Sequence, residues 1–357
     1  MNTDGRVARL YALQRAAIEI ADGATELGRT ARLLLAETSG LSAPGVDYAL
    51  RQCLEHGVGR AALSQLIRRA PVAERALVLL SANVFTAAYR AILLALAQTE
   101  NVSVRASRRE PAMAELLHRG SGGAFELVQE LSPRPGDHLW AYASDQTLAE
   151  LRRDLPAGVL LHAHGAGMGA AVIAERGLNP TITLVSLARE LALDTVAFDQ
   201  RGCLSPRVVL LEGSRDFCKA FADALADELS EAERWVPRGP LDPGEQAAAV
   251  RYEHTMTYVG GARPAGRGLV VLDEIPERMM IPPVGRYLHL TQTSHLAERL
   301  GQVGASITTV GVFGDEALPG RIQACLGDRR VVDLGKMQTP PLDGPVDLRS
   351  GWRAELL

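Results

Sequence analysis

The stretch that decides the fold covers residues 198–206 and reads Phe198-Asp199-Gln200-Arg201-Gly202-Cys203-Leu204-Ser205-Pro206. Gly202 can adopt backbone angles that are closed to other residues, and Pro206 lacks the N–H that a helix would need. The apolar run that follows, residues 208–211, predicts a buried strand. A cysteine at such a helix-to-strand corner is a candidate nucleophile, although cysteine is also a common small core residue. The residues alone leave both interpretations of Cys203 open.

The other cysteines, Cys53, Cys218 and Cys325, stand in apolar or amphipathic helical runs, and we expect them to pack in the core. The sequence has no CxxC pair and no Cys/His ligand spacing, so the four cysteines predict thiols in a reducing compartment rather than a disulfide framework. No targeting peptide is evident, and we expect the protein to be cytoplasmic.

Composition favours a two-domain α/β protein, because 357 residues with 47% hydrophobic and 22% charged content exceed the usual size of one domain. The formal net charge is −4 and no basic stripe forms, which argues against nucleic acid as the main partner. The longest apolar runs, such as Ala87 to Ala97, are too short to span a bilayer, so we expect no membrane span.

Residues 6–70 carry apolar positions at helical spacing and predict a helical segment that serves packing or oligomerisation. Short apolar strands then alternate with amphipathic helices, which predicts doubly wound parallel sheets with helices on both faces. Residues 182–187 are predicted as a further strand, residues 232–266 as a long surface excursion, and residues 338–352 as extended chain. The expected domains are a helical segment (1–70), a nucleotide-binding domain (71–198), a catalytic domain (199–335) and an extended tail (336–357).

A glycine-rich turn follows the predicted strand at residues 159–163 and contains Gly165, Gly167 and Gly169. We expect it to lead into a helix, where exposed N–H groups would bind the phosphates of a nicotinamide or similar ligand. Its spacing is GxGxG rather than GxGxxG, with Glu190 about twenty residues on, where a ribose-binding acid would stand. Close packing of a helix on the sheet explains the glycines equally well.

The histidines predict no metal site. We expect His162 and His164 to point to opposite faces of their strand, one into the core and one to the surface. His254, His289 and His295 have no Asp or second His at ligand spacing, so we expect no metal at these residues. Asn83 follows a predicted strand, where its amide could face a ligand or cap the turn.

Together these segments resemble the aldehyde dehydrogenase superfamily, most closely its LuxC-like acyl-CoA reductase branch, over most of residues 75–345. The segment around Cys203 is similar to the branch's Asp-Gln-x-x-Cys-Ser-Ser-Pro, which implies that Cys203 is the nucleophile. The turn with Asn83 looks like the family's oxyanion-hole turn. Arg105 stands where the family has a ribose-binding lysine, with Ser107 two residues later, and residues 334–338 look like the branch's Gly-Arg-Met segment.

The resemblance implies an aldehyde dehydrogenase-like α/β fold and an enzyme that reduces an acyl thioester, such as fatty acyl-CoA or an acyl carrier, to an aldehyde with NADPH, NADH remaining open. The family's water-activating Leu-Glu-Leu-Gly-Gly segment is absent before Cys203, and Glu190 does not match it, which favours reduction over hydrolysis. The alternatives are an NAD(P)-dependent aldehyde dehydrogenase, an acyl-phosphate reductase and a non-catalytic binding protein. A homo-oligomer or a carrier-protein partner also stays open.

Overall fold

The structure is a computed structural model that describes residues 3–179, 182–273, 275 and 278–350. The chain divides into two compact units, residues 1–39, 46–166 and 339–357 in the first and residues 40–45 and 167–338 in the second. Each unit contains a mainly parallel sheet with helices, as predicted. The division at residues 166 and 167 corrects the boundary expected at 198 and 199, because the strand that begins at Met168 pairs inside the second sheet.

The first unit starts with helices and continues with a parallel five-stranded sheet of order β3-β2-β1-β4-β5. The helices are α1 (Thr3–Ala21), α2 (Glu26–Thr38), α3 (Ala43–Tyr48), which continues as a π-helical turn (Ala49–Cys53), α4 (Arg60–Arg69), α5 (Ala87–Gln98), α6 (Ala112–Gly120) and α7 (Asp145–Asp154). The strands are β1 (Ala76–Leu79), β2 (Val102–Arg105), β3 (Glu126–Leu127), β4 (His138–Tyr142) and β5 (Leu160–His164).

Helix α5 lies at the centre of this unit and is buried at every position from Ala88 to Gln98. It contacts β1 and β2 on the sheet and also α1 and α4 of the N-terminal segment. The Arg6 guanidinium of α1 donates a hydrogen bond of 3.0 Å to the carbonyl of Ala97. The N-terminal helices are therefore a packing layer that covers α5, and they belong to the first unit rather than forming a separate one.

The segment from residue 339 onward is held to the first unit by one buried arginine. Arg90 donates to the carbonyls of Pro340 and Pro341 at 2.9 Å and to that of Gly344 at 2.5 Å, and it forms an ion pair with Glu55. No regular helix or strand occupies residues 339–347, as expected, and a short 3₁₀ turn follows at Leu348–Ser350. Residues 351 and 352 of the predicted extended tail lie outside the described residues.

The second unit contains a seven-stranded sheet of order β12-β11-β6-β7-β10-β9-β8, in which only the β8–β9 pair is antiparallel. Its strands are β6 (Met168–Ala174), β7 (Pro206–Glu212), β8 (Ala262–Ala265), β9 (Gly268–Asp273), β10 (Tyr287–Gln292), β11 (Ile307–Phe313) and β12 (Arg330–Asp333). Its helices are α8 (Leu184–Val196), α9 (Arg215–Trp235), α10 (Pro243–Val259), α11 (Leu296–Val303) and α12 (Leu318–Leu326).

Three predictions about local structure in this unit were wrong. The chain after the glycine-rich turn forms strand β6 rather than a helix, and residues 184–187 begin helix α8 rather than a strand. The supposed surface excursion at 232–266 contains α10 and β8, and α10 starts at a capping box in which Asp242 and Glu245 satisfy each other's backbone N–H. Within the described residues, no helix is long and apolar enough to cross a membrane.

Candidate functional site

Cys203 follows a turn with three consecutive left-handed residues. Helix α8 ends at Val196, and the backbone of Phe198, Asp199 and Gln200 then has φ values of 54°, 51° and 64°. Such angles cost non-glycine residues on the order of 1–3 kcal/mol each, so the surroundings must hold the turn in place. Gly202 was expected to supply the unusual backbone angles, but it does not have a positive φ. The three residues before it make the turn instead.

Buried charges hold the first half of this turn. The Asp199 carboxylate accepts two hydrogen bonds from Arg286, at 2.8 and 3.1 Å, and one from the N–H of Gly239 at 2.9 Å. Arg286 is 1% exposed and also pairs with Glu233 at 2.9 Å. Because each polar group of this cluster has a partner of opposite charge or a backbone donor, the cluster fixes the position of Asp199, although burial still raises the pKa of its carboxyl.

The side chain of Gln200 holds the second half of this turn. Its amide nitrogen donates to the carbonyls of Pro206 and Tyr287 at 2.8 and 2.9 Å, and its oxygen accepts from the N–H of Tyr287 at 2.7 Å. Pro206 and Tyr287 are the first residues of the paired strands β7 and β10. Gln200 therefore ties the start of both strands to the turn that precedes Cys203.

Cys203 itself is partly buried, and its backbone is held from two neighbouring strands. Its carbonyl accepts a hydrogen bond from the hydroxyl of Thr308 in β11, and the N–H of Gly169 in β6 donates to the carbonyl of Ser205 at 2.8 Å. A Cβ atom on Gly169 would lie 2.4 Å from the carbonyl oxygen of Leu204. Gly169 thus allows β6 to approach the cysteine loop closely.

A buried carboxylate that the sequence analysis missed supports the same loop. Asp194 in α8 accepts hydrogen bonds from the N–H groups of Gly335 and Met337, at 2.7 and 3.0 Å. The Gln338 amide donates to the Asp194 carbonyl at 2.9 Å and to the Ser205 hydroxyl at 3.3 Å. Burial raises the pKa of Asp194 to about 7, against the effect of the backbone donors. The segment that resembles the Gly-Arg-Met motif therefore buttresses the cysteine loop.

The other cysteines differ from Cys203 in their surroundings. Cys53 and Cys218 are buried, as expected, and burial raises the pKa of the Cys218 thiol to about 11. Cys325 was expected in the core, but it is exposed on α12 because it lies opposite the buried side of that helix, which carries Leu318, Ile322 and Leu326.

In the first unit, the predicted oxyanion donor Asn83 and the predicted cofactor-binding residues Arg105 and Ser107 lie at or just after adjacent strand ends. β1 and β2 are parallel with Leu79 opposite Arg105, so Asn83, Arg105 and Ser107 all lie at the carboxyl edge of this sheet. Asn83 is exposed, and Arg105 and Ser107 are half-buried. From sequence, only the family resemblance grouped these three residues, and the strand register places them at one edge. Cys203 belongs to the second unit.

The glycine-rich segment does not form the predicted anion site. Gly165 and Gly167 lie between β5 of the first sheet and β6 of the second sheet. The chain therefore enters a strand after them and not the N-terminus of a helix. A Cβ atom on Gly165 would lie 2.3 Å from a carboxylate oxygen of Asp145, which indicates close packing there. Glu190 lies on the exposed side of α8 rather than at a strand end, so it cannot be the ribose-binding acid of such a turn.

The expectation for His162 and His164 was also wrong, because residues two apart in a strand lie on the same face. Both are buried, at 2% and 7% exposure, and both rings stack on Trp140 of β4. Burial lowers the pKa of His162 to about 3 and that of His164 to about 4. Among the described residues, no group of three or more histidine, cysteine or acidic side chains could hold a metal ion.

Comparison with known proteins agrees with this architecture. A family model described as acyl-CoA reductase (LuxC) matches residues 126–350. No curated protein sequence matches the chain. An oxidoreductase from Marinobacter aquaeolei is 14% identical and has a TM-score of 0.68, with 96% of this chain and 79% of that chain covered.

Two aldehyde dehydrogenases of known structure are similar to the same extent. Aldehyde dehydrogenase 21 from Physcomitrella patens, in complex with the reaction product succinate, has a TM-score of 0.69 at 11% identity over 95% of this chain and 80% of that chain. An NAD-dependent aldehyde dehydrogenase from Sinorhizobium meliloti has a TM-score of 0.67 at 14% identity over 92% and 74%. The fold is therefore that of aldehyde dehydrogenases, and the chain belongs to the acyl-CoA reductase (LuxC) family of oxidoreductases.

Proposed function

We propose that this protein is an NAD(P)H-dependent acyl-CoA reductase that converts an acyl thioester, such as fatty acyl-CoA, to an aldehyde. The observation that carries the proposal is the presentation of Cys203 on a left-handed turn held by Asp199, Arg286 and Gln200. A structural core cysteine needs no such turn. Strained backbone that the surroundings fix so completely is typical of a reactive site.

In the proposed first step, the Cys203 thiolate attacks the carbonyl carbon of the acyl thioester. A new C–S bond forms on Cys203, the bond to CoA breaks, and CoA leaves as a thiolate. We keep Asn83 as the proposed oxyanion donor through its resemblance to the family's turn, and one such donor contributes about 3 kcal/mol to the lowering of the barrier. The products of this step are an acyl-enzyme and CoA.

The hydrogen-bond donors at the carboxyl edge of the first sheet suit the binding of a nicotinamide dinucleotide. The Arg105 guanidinium suits a phosphate, and the Ser107 hydroxyl, which accepts from the N–H of Arg109 at 3.3 Å, still has a proton to donate to a ribose. Ligands of open α/β sheets bind outside the carboxyl ends of the strands. When bound, the cofactor supplies the hydride that reduces the thioester, and Cys203 leaves as a thiolate when the aldehyde is released. We favour NADPH because Arg105 suits a 2′-phosphate.

The surroundings of Glu190 support reduction rather than hydrolysis of the acyl-enzyme. Its carboxylate lies against Gly335, where an added Cβ atom would be 1.8 Å from it, on the exposed side of α8. We assign Glu190 no part in activating water. In this proposal the acyl group therefore leaves as the aldehyde after hydride transfer. The reduced state proposed for the cysteines fits a cytoplasmic enzyme, and an acyl-carrier partner stays part of the proposal.

The test is NADPH oxidation by the purified protein with a series of acyl-CoA chain lengths. Cys203→Ala is expected to lower turnover on the order of 10³-fold or more, because it removes the nucleophile. Cys325→Ala is the matched control, since it removes an exposed thiol of the same unit and should leave turnover unchanged. With NADPH omitted, mass spectrometry should find the acyl group on Cys203.

Three results would contradict the proposal. Turnover that survives in Cys203→Ala would exclude a thioacyl-enzyme on this residue. Activity with acyl phosphates or with aldehyde and NAD⁺, but with no acyl-CoA, would favour the alternatives on the same fold. No turnover with any substrate, together with a Cys203 that iodoacetamide does not alkylate in the folded protein, would favour the binding protein.

A further inference from the structure

A cleft in the second unit opens at the end of the sheet opposite to Cys203. It is a cavity of about 800 Å³ that borders the carboxyl ends of β6, β7, β9 and β10. Cys203 precedes the first residue of β7, whereas Glu212 of the cleft is the last residue of that strand and Gly213 follows it. Seven residues of extended strand span about 20 Å, so the cleft is separate from the cysteine loop.

The topology of the sheet explains why a cleft forms there. β7 and β10 are neighbours, but the chain leaves β7 into α9, which packs against α8, β8 and β9. The chain leaves β10 into α11, which packs with α12 on a core that includes β6 and β11. The two connections diverge to opposite faces of the sheet, and a crevice at such a switch point is where open α/β sheets bind ligands.

The side chains that line the cleft carry a small excess of positive charge, with four basic residues, Arg176, Arg215, Lys219 and Arg321, against three acidic ones, Glu175, Glu212 and Asp273. The Glu212 carboxylate forms ion pairs with Arg321 at 2.6 Å and with Arg176 at 3.2 Å. The Asp273 carboxylate forms an ion pair with Arg278 at 2.5 Å. Lys219, which is half-buried in the wall, takes part in no ion pair with the described residues.

Arg321 keeps donors for a further acceptor, whereas Arg176 also pairs with Asp315 at 2.6 Å. The side chain of Arg321 is 40% exposed and that of Arg176 is 49% exposed, and each guanidinium has five N–H donors. At the start of α9, the N–H and the hydroxyl of Ser214 already bind the Glu175 carboxylate at 2.6 and 3.0 Å. The positive charge that pairs with an anionic ligand would therefore come from side chains.

We propose that this cleft is a second ligand site that binds a small oxyanion with two negative charges, held by Lys219 and Arg321. A phosphate ester and a dicarboxylate share this chemistry. The site does not depend on the reaction at Cys203, so it can be tested whether or not acyl-CoA is the substrate.

The chain offers an unusually selective probe, because Lys219 and Lys336 are its only lysines. Pyridoxal 5′-phosphate carries a phosphate and an aldehyde that forms an imine with a lysine, with loss of water, and borohydride then makes the bond permanent. After brief labelling of the whole protein, mass spectrometry should find Lys219 modified at least tenfold more than the exposed Lys336. Pyridoxal, which lacks the phosphate, should lose this preference.

Competition and a variant separate binding from simple amine reactivity. Arg321→Gln keeps Lys219 and should lower its labelling by pyridoxal 5′-phosphate at least fivefold, without changing that of Lys336. Protection of Lys219 by inorganic phosphate indicates a phosphate ligand, and protection by succinate alone indicates a dicarboxylate. Equal labelling of both lysines by both aldehydes, or labelling of Lys219 that neither anion reduces, would overturn the proposal.

Discussion

Three left-handed residues before Cys203 are the most informative residue-scale feature of this protein. Such a turn is stable only because buried groups complete it, and Asp199 and Gln200 do so through different contacts. Asp199 is held by the charge of Arg286, whereas Gln200 replaces backbone hydrogen bonds at the start of two strands. The family resemblance pointed to the Asp-Gln pair, and the structure gives its physical reason.

We expect Gln200→Leu to lower the free energy of unfolding by about 2–4 kcal/mol, because it leaves a buried N–H and two buried carbonyls without partners. Urea denaturation of the variant measures this loss. Gln246→Leu, at an exposed position of α10 in the same unit, is the control and should change stability by less than about 0.5 kcal/mol. Equal stability of both variants would show that Gln200 does not hold the turn.

At the scale of elements, strands β4 and β5 share a row of stacked rings inside the first unit. The rings of His162 and Trp140 lie 4.0 Å apart and are nearly parallel, and the rings of His164 and Tyr142 lie 4.4 Å apart. The register explains the pairs, since Trp140 stands opposite His162 and Tyr142 opposite His164. His138 extends the row, with its Nδ1 atom 3.1 Å from Nε2 of His162.

This row predicts sensitivity to acid. Burial lowers the pKa of His162 to about 3. On acidification below about pH 6.5, this histidine therefore binds a proton in the unfolded chain but stays neutral in the folded protein until the pH approaches 3. Stability is therefore fully present above that pH and is lost as the pH falls towards 3. At pH 5 the loss from this group is about 2 kcal/mol.

His162→Phe keeps the stacking on Trp140 and removes the titration. We expect the drop in unfolding free energy between pH 7.5 and pH 5 to become smaller by about 2 kcal/mol in this variant. His254→Phe, at an exposed position of α10, is the control and should leave the drop as it is. An unchanged drop in His162→Phe would mean that this histidine does not contribute to acid sensitivity. Urea denaturation at both pH values provides the comparison.

Strand β6 shows why local sequence alone does not predict every strand. Its sequence Met-Gly-Ala-Ala-Val-Ile-Ala contains three alanines, which favour a helix when the segment is considered alone. All seven residues are buried between β7 and β11, and this burial on both faces outweighs the local preference. Strands rich in valine, isoleucine and leucine, such as β7 and β9, were predicted correctly because local preference and environment agree.

At the scale of the whole molecule, the first unit is built from three separate stretches of chain, and the last of them begins at Thr339. Arg90 and Arg349 connect this stretch to the rest of the unit, Arg349 by a hydrogen bond of 2.9 Å to the carbonyl of Ala166. The stretch is thus part of the fold of the first unit although it follows the second unit along the chain.

Deletion of residues 339–357 should therefore destabilise the first unit selectively. Arg90 would lose three carbonyl acceptors while buried, which costs about 3 kcal/mol or more. The deletion leaves Trp140 in the first unit and Trp235 in the second, so fluorescence of single-tryptophan variants can follow each unit separately. We expect the unfolding midpoint reported by Trp140 to fall and that reported by Trp235 to hold. A shift of both midpoints by the same amount would contradict this division of the chain.

Several features of this protein follow from local sequence. The alternation of apolar strands and helices, the helical N-terminal segment and the position of Cys203 at the start of a strand are all readable there, because each depends on neighbours within about ten residues. The partners of Asp199 and Gln200 lie up to 87 positions away, and the tie of Arg90 to Gly344 spans 254. The membership of β6 in the second sheet, the close packing at Gly169 and the cleft beside Lys219 likewise depend on which distant segments pair. Only the tertiary structure could decide these features, because strand pairing and buried polar contacts join residues whose sequence separation carries no local signal.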